Sequence, residues 1–363
     1  IQTSLVGSEM CIRDSLNFIQ KMINGKTLIL RFSSMGDVVM TVPIIRCLEK
    51  KYPENKFIFV TRPKFKPFFE EFKNVEIFEL DLKNRHKGVL GLFKLFSDLF
   101  ELNPSRIADL HSVLRTNVLS FLFRMSFKKV SVINKKRKER KALIRESNKI
   151  FKPLTPVHFL YQEVFNRLGY SIDLTKDHIY PPSKKLVVSK EDFQINSNKL
   201  IGIAPFAKHA AKMYPLDLMQ KIVSYLQEKH NIILFGNGKL EMETINRWSS
   251  AFKNVYSCEA LNGFENEISF ISNLDLMISM DSANGHIASI YNVPVVTLWG
   301  LTHPYAGFTT FNYKTENQFC ANREEYPLIP NSIYGNKMIK GYENAMRTIS
   351  VEEILGRVNE IIV

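Results

Sequence analysis

From Lys26 onward this chain alternates short runs of apolar, β-branched and aromatic residues with longer amphipathic stretches, and the whole alternation occurs twice. The first set reads TLILRF, a helical pattern over 38–51, KFIFVTR, a Phe-rich helical segment, VEIFEL, RIADLH, a helical stretch over 112–127, and KKVSVIN. The second reads LIGIAPF, a helix over 216–229, NIILFG, a helix over 240–252, NVYSC, a helix over 265–273, LDLMISM, a short helix from Gly285, and PVVTLWG. Strands apolar on both faces, separated by helix-period segments, are the pattern of a parallel sheet covered by helices on either side. The expected class is therefore α/β, with two Rossmann-like doubly wound parallel sheets of about five strands each facing one another across a cleft.

A length of 363 residues accommodates two cores. The expected first domain is 22–182 and the second 183–363. Between them lie a basic run, a Pro-marked segment at 152–157, a helix over 158–168 and the Pro181-Pro182 break, read together as an excursion followed by a linker. A final helix over 351–362 is expected to pack back on one of the halves, the first domain included. Residues 1–21 show no sustained period, look like adapter-derived sequence and are expected to be a non-native or unstructured extension.

In doubly wound sheets ligands bind beyond the carboxyl ends of the strands, so the loops after the strands are where chemistry is sought. After TLILRF come Ser33, Ser34, Met35, Gly36 and Asp37, opening a helix. Asp37 there is either a helix cap or a general base, since the positive end of a helix favours a charged carboxylate that can take a hydroxyl proton. After LDLMISM come Asp281, Ser282, Ala283, Asn284, Gly285 and His286. Backbone N–H groups at that helix start, with Ser282 and His286, suit a diphosphate, and Asp281 suits sugar hydroxyls; a second cap with a structural histidine explains the same residues equally well.

Weaker candidates stand on neighbouring loops. Lys208, His209 and Lys212 follow LIGIAPF, with Lys212 suited to a leaving diphosphate. Gly236 ends NIILFG and Asn237 and Gly238 follow it, with Glu241 one turn on and suited to a ribose hydroxyl pair. In the first half, Ser34, Met35 and Gly36, together with His111 and Arg115 after RIADLH and the DLKNRHKG segment, are candidates for binding an acidic acceptor.

Transfer from a nucleotide sugar needs a base for the acceptor hydroxyl, positive charge or N–H groups for the leaving diphosphate, and carboxylates for sugar hydroxyls. Each has a candidate here. No DxD-type acidic cluster and no His/Cys cluster with ligand spacing occurs, so a metal-independent reaction with no bound cofactor is expected. No G-x-G-x-x-G follows the first strand, which argues against a dinucleotide oxidoreductase. Four scattered cysteines and the lack of any run of about 18 apolar residues point to a reducing cytoplasm and no membrane span.

RFSSMGDVVMTVPIIRCLEKKYP resembles the opening of glycosyltransferase family 9, the lipopolysaccharide heptosyltransferases. The KMYP stretch, 212–215, is similar to that family's K-W-P signature, and DSANGHIASIYNVPVVTLWGLTHP to its D-[ST]-G-x-x-H-x-A…P-V-V…G-x-T-x-P block. The resemblance runs from about Lys26 to the end of the chain. It implies a GT-B fold and an inverting, metal-independent transfer from an ADP-activated heptose to the Kdo or heptose of a lipopolysaccharide inner core. Asp37 falls on the family's proposed base, Lys212 on its donor-contacting lysine, and Asp281, Ser282 and His286 on its donor-binding block, with Glu241 a looser match. Ala283 stands where the family usually has Gly and Tyr214 where it usually has Trp, departures that bear on the identity of the donor sugar.

The net charge is +13, and residues 135–152, opened by Lys135 and closed by Lys152, hold nine Lys or Arg and two Glu, a local balance of 9 − 2 = +7. A solvated face and a landing strip for an anionic membrane or acceptor phosphates both fit this run. Without interleaved aromatics or a binding motif, nucleic acid is not expected. The partners expected are thus a nucleotide-sugar donor, an acidic glycolipid acceptor and the cytoplasmic face of the inner membrane, for a monomer whose Asp37→Ala variant folds normally but loses transfer. A nucleotide-sugar 2-epimerase and a non-catalytic nucleotide-sugar binding module are the alternatives.

Overall fold

A computed structural model describes residues 25–186 and 198–362; the extension expected over 1–21 lies outside the described residues. The chain divides into two compact units.

The first unit comprises 25–135 and 158–179. Its elements open with β1 (Lys26–Leu30), α1 (Met35–Val39), α2 (Val42–Lys51), β2 (Lys56–Thr61) and β3 (Val75–Glu79). They continue with α3 (Gly88–Glu101), β4 (Arg106–Asp109), α4 (Leu114–Met125) and β5 (Lys129–Val132). The chain then gives α5 (Arg137–Ile144) to the second unit and returns in α6 (Val157–Leu168) and α7 (Leu174–Asp177).

All five strands are parallel in the order β3-β2-β1-β4-β5. Connections leave β1 toward β2 on one side and toward β5 from β4 on the other. The ends of β1 and β4 are thus the switch point, where the two loops diverge and leave a crevice. Leu28 and Leu30 of β1 share one core layer with Ile107 of β4, Leu95 and Leu99 of α3, and Leu119 and Phe123 of α4, all with no measurable exposure. Burial of each such side chain contributes about 1.5–3 kcal/mol.

The single helix expected over 38–51 is broken at Met40–Thr41, because Pro43 cannot donate to the carbonyl four residues back; it sits instead in the first turn of α2, where no donor is needed. The Phe-rich segment forms only a 3₁₀ turn at Pro63–Phe68, with Pro63 opening it and Pro67 inside it.

The second unit comprises 136–157 and 180–363. After α5 it contains β6 (Leu200–Ala204), α8 (Leu216–Leu226), β7 (Asn231–Leu234), α9 (Lys239–Ala251), β8 (Val255–Ser257) and α10 (Phe264–Ile271). It ends with β9 (Leu276–Met280), α11 (Ala283–Ser289), β10 (Val295–Trp299), β11 (Gln318–Cys320) and α12 (Val351–Ile362). The sheet is parallel with order β11-β10-β9-β6-β7-β8. It has six strands where about five were expected, because QFC is too short to show a period.

One open expectation is resolved and one is corrected. The final helix packs on its own unit: Ile354, Val358 and Ile362, at helical spacing, enter the core that holds Met219 and Val223 of α8 and Ile278 of β9. Likewise, 136–157 belongs with the second unit rather than with 22–182. Leu143 of α5 is fully buried against Ala306 and Ile333, and the Leu154 N–H donates to the Tyr305 carbonyl at 2.9 Å. The Lys149 ammonium donates to the carbonyls of Leu328 and Pro330, each at 2.7 Å, and burial lowers its pKa to about 8. Apolar residues spaced among the cations decide the packing; net charge alone concealed them.

Candidate active site

At the switch point of the first unit, Ser34 is the N-cap of α1 and Asp37 its third residue. The Asp37 carboxylate accepts from the Ser34 hydroxyl at 2.6 Å and from the Ser34 N–H at 3.3 Å, closing a capping box. It also meets the Arg31 guanidinium at 2.6 Å, the two side chains being 19 % and 7 % exposed. Arg31 donates in turn to the Leu110 carbonyl at 2.8 Å, tying the loop after β1 to the loop after β4. Asp37 therefore caps its helix and also presents a partly exposed carboxylate in fixed orientation at the crevice. Ser34 is exposed beside it, and Met35 and Gly36 are half-buried.

His111 stands edge-on to Phe32 at 5.5 Å. Burial pushes its imidazole down to about 3, with Arg31, Lys135 and Arg62 acting in the same direction and Asp37 against them. It is neutral at ordinary pH, so it cannot supply the cation that an acidic acceptor was expected to meet, although its Nδ1 has no hydrogen-bond partner among the described residues. Arg115 donates to the His86 carbonyl at 2.7 Å, bracing the DLKNRHKG loop. Asp98 of α3, accepting from Arg85 and His86 of that loop, is held down to about 2.

In the second unit three post-strand loops converge. Lys212 comes from the turn after β6, Asp281 from the end of β9 and Thr302 from the loop after β10. The Lys212 ammonium lies 2.7 Å from Asp281 Oδ2, with the side chains 14 % and 8 % exposed, and the Thr302 hydroxyl donates to the same oxygen at 3.2 Å. Strands β6, β9 and β10 are neighbours, which is why residues so far apart in sequence meet. Gly335, at φ +71, lies along the Lys212 stem, where any Cβ would overlap Cγ and Cδ.

Next to this pair Ser282 is the N-cap of α11 with no cap bond from its side chain, and its buried Oγ has no partner among the described residues. The first N–H groups of any helix lack intrahelical acceptors. His286 is buried one turn on. Ala283 is an ordinary first helical residue outside the left-handed region, so its methyl introduces no backbone strain. Gly285 serves packing: a Cβ there would come within 2.5 Å of Ser279 Oγ.

Glu241, third in α9, accepts from the Asn237 N–H at 2.8 Å and so closes the Gly236–Gly238 turn. Tyr214, where a Trp is usual in the resembled family, is fully buried and donates to the Ile349 carbonyl at 2.8 Å. Lys208 remains exposed and His209 half-buried.

Four residues that take part were not singled out from sequence: Arg31, Thr302, Gly335 and Glu267. Glu267 of α10 accepts from the Asn284 side-chain amide at 3.4 Å, and burial pushes its carboxyl up to about 7, with Asn284 opposing. Arg31 was detectable as a charge ending an apolar strand, and Thr302 as a member of the LTHP block. Nothing in FENEISF distinguishes Glu267 from a solvated helix acid.

Residues 112–330 match the model of glycosyltransferase family 9 (heptosyltransferase). A lipopolysaccharide core heptosyltransferase of Haemophilus influenzae is 23 % identical over 352 residues, spanning 92 % of this chain and 96 % of the relative. A lipooligosaccharide heptosyltransferase 2 of Campylobacter jejuni is 24 % identical over 74 % of this chain and 78 % of its own length. Among solved structures, a family 9 glycosyl transferase of Veillonella parvula superposes with a TM-score of 0.69 at 17 % identity, covering 93 % of this chain and 97 % of its own. An E. coli heptosyltransferase in complex with ADP gives 0.62 at 16 % identity, covering 93 % and 99 %. The fold they share is the GT-B type, two parallel-sheet α/β units.

Proposed function

The chain belongs to glycosyltransferase family 9, and from that membership we propose that it moves a heptose from an ADP-activated donor to an inner-core sugar of a lipopolysaccharide lipid, with inversion and without a metal ion. The observation that carries this reading is the meeting of Lys212, Asp281 and Thr302 from three adjacent post-strand loops, beside the Ser282 hydroxyl at the start of α11, which has no partner among the described residues. A lysine held by a buried carboxylate has its ammonium fixed in place, with further N–H donors for a diphosphate. Lys212, Ser282, Ala283 and His286 hold the diphosphate in this account, with Gly285 letting the helix start pack on β9 behind them, Glu241 and Gly236 hold the ribose side, and Asp281 positions Lys212.

In the reaction, Asp37 takes the proton of an acceptor hydroxyl as that oxygen attacks the anomeric carbon. The bond from that carbon to the phosphate oxygen breaks, and ADP leaves with the electron pair. Ser34, Met35 and Gly36 line the acceptor side, with Arg115 and neutral His111 behind them. The acceptor is a lipid, so the enzyme works at the cytoplasmic face of the inner membrane, as a monomer; no helix among the described residues is long and apolar enough to cross it. Exposed Lys138, Lys141 and Lys152 of the basic run favour an anionic surface.

The test is mass spectrometry of the protein incubated with a panel of nucleotide sugars and a truncated, heptose-free core lipid, with and without EDTA. One heptose added from the ADP donor, at a rate unaffected by EDTA, is expected. Donor consumed without acceptor would point to a 2-epimerase, and donor bound without product to a binding module. A rate lost in EDTA and restored by Mg²⁺ would overturn the metal-free mechanism.

A further inference from the structure

Helices α3 and α4 lie side by side on one face of the first sheet. The Phe96 and Phe123 rings pack at 5.0 Å between them, Arg115 ties their starts through the His86 carbonyl, and Lys128 lies 5.6 Å over the Phe100 ring at their ends. Each helix already buries an inner stripe, Leu95 and Leu99 in α3 and Leu119 and Phe123 in α4. On a surface helix the opposite stripe is normally polar. Here it is apolar again: Val89, Leu90 and Phe93 in α3, then Leu114, Phe121 and Met125 in α4, all exposed, Leu114 at 83 %. Phe127, in the turn that follows, is 98 % exposed. An apolar patch of this extent marks an interaction surface.

The charge around it selects the partner. Lys87, Lys94 and Arg124 are exposed on the same two helices and Lys128 flanks Phe100, against Glu101 and an Asp98 already paired with Arg85. We propose that the outer face of α3 and α4 is the membrane-docking surface of this enzyme, its phenylalanines and leucines entering the interface of a bilayer whose anionic phosphate headgroups meet the surrounding cations. The proposal builds on the lipid acceptor proposed above and gives docking to the first unit. The basic run 136–157 carries cations but exposes only Ile150 among large apolar side chains of the described residues.

The experiment is co-sedimentation of the whole protein with phosphatidylethanolamine/phosphatidylglycerol vesicles and with phosphatidylcholine vesicles. No donor or sugar acceptor is present, so the result stands apart from whether a heptose is transferred. Binding at least tenfold tighter to the anionic vesicles, weakening with salt, is expected. Phe93→Ser combined with Phe121→Ser and Phe127→Asn should lower it tenfold or more with ADP affinity unchanged, Asn being a side chain that tolerates the left-handed backbone at 127. Lys94→Glu with Arg124→Glu, which touches no apolar residue, should lower it in parallel. Vesicle binding unaltered in either variant would overturn the proposal, as would a wild-type dimer that the triple variant dissociates.

Discussion

Removing the Asp37 carboxylate by alanine takes the capping acceptor from the Ser34 N–H and hydroxyl and the carboxylate partner from a buried Arg31. Such a variant should lose about 2–3 kcal/mol of stability, which differs from the normal folding expected from sequence. Asp37→Asn also removes the counter-charge of Arg31 but keeps an oxygen that can accept from Ser34 and Arg31, and should lose about 1–2 kcal/mol on thermal denaturation, so it is the cleaner probe of chemistry. A second residue-scale prediction concerns Glu267. Its folded pKa, about 7, lies above the ordinary 4.5, so the folded state holds a proton that the unfolded state has released between those values. The stabilisation is complete below pH 4.5 and declines as pH rises through 7, by at most about 3 kcal/mol. Glu267→Gln should flatten the melting temperature over this window, and an unchanged slope would show that another group titrates. Asp37, Lys212 and Asp281 were legible because each lies on a segment that follows a strand and falls in a stretch resembling a family 9 motif. Arg31 and Thr302 carried weaker signals, a charge ending an apolar strand and a place in the LTHP block, and Glu267 carried none, because its contact with Asn284 joins two helices that sequence alone does not bring together.

Among elements, the loop around Gly335 supports Lys212, the lysine that the proposed reaction assigns to the donor diphosphate. Gly335→Ala places a methyl on the Lys212 stem at a backbone angle that L residues rarely adopt. It should cost about 1–3 kcal/mol and weaken ADP binding severalfold by calorimetry, although residue 335 lies far from the DSANGH block in sequence. Tight ADP binding in this variant would mean that Lys212 is positioned otherwise. The strands were legible from sequence because parallel strands buried on both faces read as unbroken apolar runs. Less legible were the break before α2, set by Pro43 alone, the three-residue β11, and α5, whose buried Leu143 sits within a run dominated by cations. The α11 start was read correctly as a helix opening, but whether Ser282 serves as cap or ligand depended on side-chain geometry that spacing does not encode.

At the scale of the whole molecule, one sequence pattern repeated twice yields two sheets, each with its candidate site loops at the carboxyl ends of its central strands. In the proposed reaction these loops perform separable tasks: the first unit supplies the base, and the second holds the nucleotide diphosphate. The separation is what two variants test together, by measuring the transfer rate and ADP affinity of Asp37→Asn and Lys212→Ala alongside the wild type. Asp37→Asn should lose a factor of about 10³ in rate with its ADP dissociation constant unchanged, whereas Lys212→Ala should lose affinity for ADP as well as rate. Transfer by Asp37→Asn at close to the wild-type rate would contradict the account.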